Sequence, residues 1–398
     1  MRAILTILAI WAAGLGAAAQ FGKMSVAYPA LEFVYSGKSA AGYPAQSAVA
    51  IGLILSVVGL VGLIFGTTAG LLVARIGEKR VIVAALALGA GVSAAQIPLP
   101  SYPVMILLRV LEGISHLAIV VVGPTMIAGL AARRFQGAAM TLWSSFFGVA
   151  YAVLFYFGPQ MVQENGPQSL FVLHAAWMAV LAVILALLLP RDLSDAVKPL
   201  AGNVFVMHRV IYASPFLAAP AMGFVCYTVT YVAVLTLLPA QMGDMGGFIG
   251  VAMPLVSIAV SLTLGVWLLS QMSAVAVVQA GFAVAIIASA GLWLMWGQVT
   301  AVGFALTIAA SLGIVQGASF ASLAELNPSA DDRAMGAGAI AQLGNLGTTT
   351  GTPMLIWALD RAGVTGLALF LVGFSALGIT IHAVQVRRRI SAGQRRPH

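Results

Sequence analysis

Long apolar runs dominate the chain, broken at short intervals by turns that carry glycine, proline or charge. About 20 apolar residues let a helix cross a bilayer. Twelve runs have roughly that length or more: 4–34, 46–74, 80–99, 103–130, 138–162, 168–190, 210–240, 247–270, 274–297, 300–324, 334–358 and 366–387. Segments such as Pro98-Leu-Pro100, Glu164-Asn-Gly-Pro167 and Asn327-Pro328 mark the turns between them. The longest polar break, RDLSDAVKPLAGNVFVMHR at 191–209, falls at the midpoint. The pattern predicts an all-α integral membrane protein of twelve transmembrane helices. Its parts are a six-helix half over 1–190, a cytoplasmic central loop over 191–209, a second six-helix half over 210–387 and a basic cytoplasmic tail over 388–398. The opening MRAILTILAIWAAGLGAAAQ resembles a secretory signal. Its apolar run continues past Gln20 to about Val34, so an uncleaved first helix is expected.

Composition agrees with the pattern. Of 398 residues, 61% are hydrophobic and 8% charged, against about 25% charged in a soluble domain. The single cysteine, Cys226, excludes an internal disulfide. A net charge of +8 invites a nucleic-acid partner, but the basic residues sit in short loops instead of one patch. With both ends placed in the cytoplasm, fifteen of the nineteen lysines and arginines fall on the inner side, only Lys38 and Arg361 fall outside, and Lys23 and Arg109 lie within spans. That bias sets the expected orientation in a bacterial inner membrane. The tail RRRISAGQRRPH is expected to meet anionic lipid head groups.

The halves repeat. Arg134-Phe-Gln-Gly137 with Gly148 is matched by Arg333-Ala-Met-Gly336 with Gly347, each pair 199 residues apart. Three matches in register at half the chain length point to a duplicated, pseudo-symmetric six-helix unit.

The charged residues inside the apolar runs carry the candidate chemistry. In Arg109-Val-Leu-Glu112-Gly113-Ile-Ser-His116, the i, i+3 and i, i+4 spacings put Arg109, Glu112 and His116 on one helical face. Charges in hydrocarbon are kept where they pair or line a polar path. Two readings stand together here: an ion pair that locks the bundle, and a pathway for solute or protons. Glu112 is the acidic residue deepest in a span, which makes it the candidate proton-coupling carboxylate. His116 can join a relay or serve as a structural hydrogen-bond donor.

The twelve spans and related halves resemble the major facilitator superfamily, and three local patterns carry the likeness. Gly70-Leu-Leu-Val-Ala-Arg75-Ile-Gly77-Glu-Lys79-Arg80 resembles its signature loop between helices two and three, with Ala74 where the family has aspartate. Arg109-x-x-x-Gly113 resembles its fourth-helix signature, and Gly158-Pro159 is similar to the motif closing helix five in antiporters. The resemblance implies a transporter with a solute site near the bilayer midplane between the halves. Within the superfamily, RVLEGISHLAIVVVGPT followed by Trp143 resembles the proteobacterial group containing the CcoA-like copper importers and the RfnT riboflavin importers. The copper members carry MxxxM in helix seven and HxxxM in helix eight. This chain has Met222-x-x-x-Cys226 and, in helix eight, Met253 without histidine. The departure favours riboflavin. Met222 and Cys226 remain alternative Cu(I) ligands or simple packing.

A flat amphipathic solute needs aromatic faces and a few amide partners. Trp143, Tyr151, Tyr227 and Tyr231 supply the first, and Gln316, Gln342 and Asn345 the second. Gln20 and Lys23, three apart in the first helix, complete the candidate substrate residues. Aromatics inside helices also serve as packing or interface anchors. No Walker loop, nucleophile–base pair or Cys/His metal cluster is present, and His174, His208, His382 and His398 are scattered. The expectation is a non-enzymatic, cofactor-free, monomeric secondary transporter of a small solute, riboflavin first, copper or another small organic solute or drug as alternatives.

Overall fold

The computed structural model describes residues 2–38, 42–132, 135–190 and 204–391, and among these every regular element is helical. Arg134 of the repeat and its neighbour Arg133, residues 191–203 of the expected central loop and the tail beyond Ser391 lie outside the described residues. The chain divides into two compact units, residues 1–62 with 68–200, and residues 63–67 with 201–398.

In the first unit, α1 (Arg2–Tyr35) is followed by a second passage in pieces: α2 (Ala48–Ser56), a 3₁₀ turn at Val57–Gly59, α3 (Leu60–Phe65) and α4 (Ala69–Ile76). Then come α5 (Glu78–Gln96), α6 (Tyr102–Leu130), a fifth passage split into α7 (Gln136–Ser144) and α8 (Phe146–Asn165), and α9 (Gln168–Leu188). Local chemistry sets several ends. Ser47 Oγ accepts from Ala50 N (3.2 Å) at the start of α2, satisfying an amide the helix itself cannot. Pro103 sits in the first turn of α6, where its missing N–H is harmless. Pro159, read as closing the fifth helix, lies inside α8, which runs on to Asn165. The apolar core of this unit joins α1, α5, α6 and α9 through Ala13, Ala17, Leu86, Ile119, Met178 and Leu185.

The second unit opens with α10 (Val204–Ala213), which crosses the boundary expected at 209/210, so part of the predicted loop is helical. A bend containing Pro215 leads to α11 (Ala218–Gln241). The eighth passage is α12 (Gly246–Val260), a π turn at Ser261–Gly265 and α13 (Val266–Gln271), followed by α14 (Ala274–Leu294) and α15 (Thr300–Leu326). α16 (Ala330–Ser391) is two helices meeting at Gly363, whose φ of +52° and ψ of −133° suit only glycine. Nine helical stretches among the described residues are long and apolar enough to span a bilayer by length and composition. The last of them contains two passages, and α5 with α7–α8 bring the total to twelve.

Candidate functional site

The site grows from the arginine of the fourth passage. Where α2 gives way to the 3₁₀ turn, its last carbonyls lose their i+4 amide partners. Arg109 supplies replacements: Nε donates to Ile54 O (2.7 Å) and Nη2 to Leu55 O (3.1 Å). Four residues on, Gly113 presses against the same turn, where an added Cβ would stand 2.3 Å from Val58 O. The Arg-x-x-x-Gly pattern thus seats α6 on the break in the second passage.

The remaining N–H group of that guanidinium binds a carboxylate. Arg109 Nη1 donates to Glu112 Oε2, which also accepts from Gln96 Nε2 of α5 (3.0 Å). The other carboxylate oxygen, Oε1, accepts from Lys23 Nζ of α1 (2.5 Å). Lys23 Nζ also donates to Ser93 Oγ (2.7 Å) and lies 3.3 Å from His174 Nδ1 of α9. The tautomer of His174 follows from its far side. Nε2 faces Gly16 O at 2.9 Å and must carry the proton, leaving Nδ1 to accept from the Ser93 hydroxyl at 2.6 Å. Four passages therefore converge on one carboxylate, and every member is buried. With lysine and arginine protonated, two cations face a single anion in an apolar interior. Gln96 Oε1 and Gln20 Oε1 stay buried without a hydrogen-bond partner among the described residues.

Lys23, Arg109 and Glu112 come together as one group, whereas Gln20 makes its hydrogen bond outside it, donating to Ser115 Oγ (3.1 Å). His116 lies one turn from Glu112 on α6. Its Nδ1 reaches Ala17 O (3.1 Å) and its ring meets Phe21 edge-on at 5.1 Å. Tyr151 stacks between Phe147 (4.9 Å) and Phe155 (6.1 Å) on α8, its hydroxyl 3.5 Å from Ser25 Oγ. Trp143 is wedged among glycines, its ring where a Cβ on Gly14 or Gly123 would fall. In the second unit, Phe224, Tyr227 and Tyr231 form a row along α11, the tyrosine rings stacked at 5.0 Å. Gln316 is half-buried on α15 and makes no hydrogen bond to a described residue. Gln342 accepts from Tyr212 (2.7 Å) and faces His208 Nε2 (3.1 Å), while Asn345 donates to Ala341 O of its own helix (2.7 Å). Met222 Sδ accepts from Gln385 Nε2 (3.1 Å), and Cys226 is buried one turn away.

In the loop between the second and third passages, Gly70 and Arg75 fall in α4, and Gly77 takes a φ of +97° to turn the chain. Lys79 donates to Leu189 O (2.6 Å), a carbonyl at the end of α9.

Three members of the cluster escaped the sequence reading: Ser93, Gln96 and His174. His174 looks like one of several scattered histidines in the sequence, yet it sits seven residues into α9 and is buried. Its depth in an apolar run was the available signal. Ser93 and Gln96 stand three apart near the end of α5 and look like ordinary helix-end polar residues.

The sequence model of the Major Facilitator Superfamily matches residues 3–352. The chain is similar to the inner membrane transport protein YajR of Escherichia coli (strain K12), with 26% identity over 196 residues. That stretch is 49% of this chain and spans 43% of the relative's length. Among solved structures it is similar to the crystal structure of a bacterial homolog to the human lysosomal transporter Spinster, in an inward-facing and unoccupied conformation. The TM-score is 0.75 over 98% of both chains, and the identity of 13% makes this a likeness of fold.

Proposed function

The chain belongs to the major facilitator superfamily and is a multi-pass membrane transporter. From that premise, we propose that it is a secondary transporter carrying riboflavin inward across a bacterial inner membrane, with the Lys23–Glu112–Arg109 cluster coupling solute to protons. The observation that carries the coupling is the buried excess charge. A proton leaving Lys23 would bring the cluster to neutrality, whereas a proton arriving on Glu112 would double its positive charge. The Lys23–Glu112 contact at 2.5 Å ties α1 to α6, so moving one proton loosens a link between two passages. Ser93 and His174 stand beside Lys23 to receive that proton, with His116 one turn along from Glu112.

The choice of riboflavin rests on the fourth-passage resemblance. Support comes from the aromatic rows Phe147–Tyr151–Phe155 and Phe224–Tyr227–Tyr231, since ring faces suit an isoalloxazine. In the second unit, Gln316 can meet its polar groups. Both termini are proposed to face the cytoplasm. The test is growth of a riboflavin-auxotrophic bacterium at limiting riboflavin with the chain expressed from a plasmid. Rescue that is lost with Tyr227→Ala is expected. Absence of rescue despite confirmed membrane expression would reject riboflavin and send the search to copper.

A further inference from the structure

At the far end of the second unit, three consecutive arginines close α16 in two different ways. Arg388 donates to Ala213 O (3.0 Å) and Gln385 Oε1 (3.2 Å), and Arg389 donates to Pro215 O (2.9 Å) while lying over the Phe216 ring. Those two fasten the bend between α10 and α11. Arg387 is exposed and has no hydrogen bond or ion pair to any described residue. It opens instead on a cavity of about 500 Å³ lined by Pro215, Val384, Arg387, Arg388 and Ser391.

We propose that this cavity binds the phosphate of an anionic phospholipid. Three properties of the lining point to that occupant. Among the described residues it offers two guanidinium groups and a hydroxyl but no acidic side chain. Glu325 of the same unit is already engaged with the Ala274 amide (2.7 Å). Guanidinium groups match phosphate oxygens with paired, charge-assisted N–H donors. Arg388 is held in place by its backbone anchor, so less freedom is lost on binding. The rest of the wall is apolar, and Val384 within it stands 48% exposed, as contact with an acyl chain requires. The depth also fits. Arg387 follows Gly363 by 24 residues, about 36 Å along a helix. That exceeds the ~30 Å hydrocarbon core and places the guanidinium among head groups.

The test is native mass spectrometry of the purified full chain in mild detergent, incubated with phosphatidylglycerol or with phosphatidylcholine of the same acyl chains. The expected result is a first phosphatidylglycerol adduct retained at least fivefold better than phosphatidylcholine, and reduced at least fivefold by Arg387→Gln. Arg361→Gln, which removes an arginine lying over Trp357, should retain the adduct and controls for net charge. Equal retention of the two lipids, or full retention by Arg387→Gln, would overturn the proposal. Displacement of the lipid by inorganic phosphate alone would assign the cavity to free phosphate and overturn it as well.

Discussion

Charge bookkeeping at single residues yields an ordering that distinguishes Glu112 from Lys23. Removing the carboxylate leaves two cations buried without a counter-charge, whereas removing the lysine leaves the Arg109–Glu112 pair neutral as a unit. Breaking a buried pair from the side that strands charge costs about 3–5 kcal/mol. Glu112→Gln should therefore lower the melting temperature of the detergent-solubilised protein well below that of Lys23→Gln, measured by thermal unfolding. The reverse order would contradict the reading of one carboxylate balancing two buried cations. The three charged members were legible in the sequence, because lysine, arginine and glutamate are conspicuous inside apolar runs. Ser93, Gln96 and His174 were not. Small polar residues enter helices for many reasons, and only the approach of α5, α9 and α1 shows which of them share hydrogen bonds.

At the scale of elements, the break in the second passage decides how α6 sits. Ser56-Val-Val-Gly59 continues an apolar run without proline or charge, so nothing local announces the 3₁₀ turn. The reason lies elsewhere in the chain, in the donors that Arg109 brings to Ile54 and Leu55. The twelve passages themselves were readable from run lengths, and α10 and the π turn were not: α10 lies partly inside the polar break, and the π turn continues apolar sequence across a change of hydrogen bonding. Two outcomes test the seat of α6. Gly113→Ala puts a methyl group against the fixed backbone oxygen of Val58 and should destabilise the protein by about 1–3 kcal/mol, as overpacking does. Arg109→Lys keeps the charge but loses the fork that spans two carbonyls and a carboxylate. It should unfold at lower temperature than the wild type and expose the 54–59 backbone to faster hydrogen exchange. Unchanged exchange there would remove Arg109 from its role as a replacement helix partner.

For the molecule as a whole, the proposed orientation follows from the distribution of lysine and arginine and is open to direct test. Cys226 is fully buried and leaves a low labelling background. A cysteine placed at exposed Lys38 should react with a membrane-impermeant maleimide in intact cells. One placed at Arg387 should react only after permeabilisation, and the opposite pattern would invert the topology. The buried cluster is proposed to tie solute movement to protons. The most direct measurement is accumulation of radiolabelled riboflavin in proteoliposomes with an imposed inward proton gradient, comparing the wild type with Lys23→Gln. The wild type should concentrate riboflavin above the equilibrium level only when the gradient is present. Lys23→Gln should exchange riboflavin across the membrane but stop at equilibrium. Gradient-driven accumulation that survives intact in Lys23→Gln would contradict the claim.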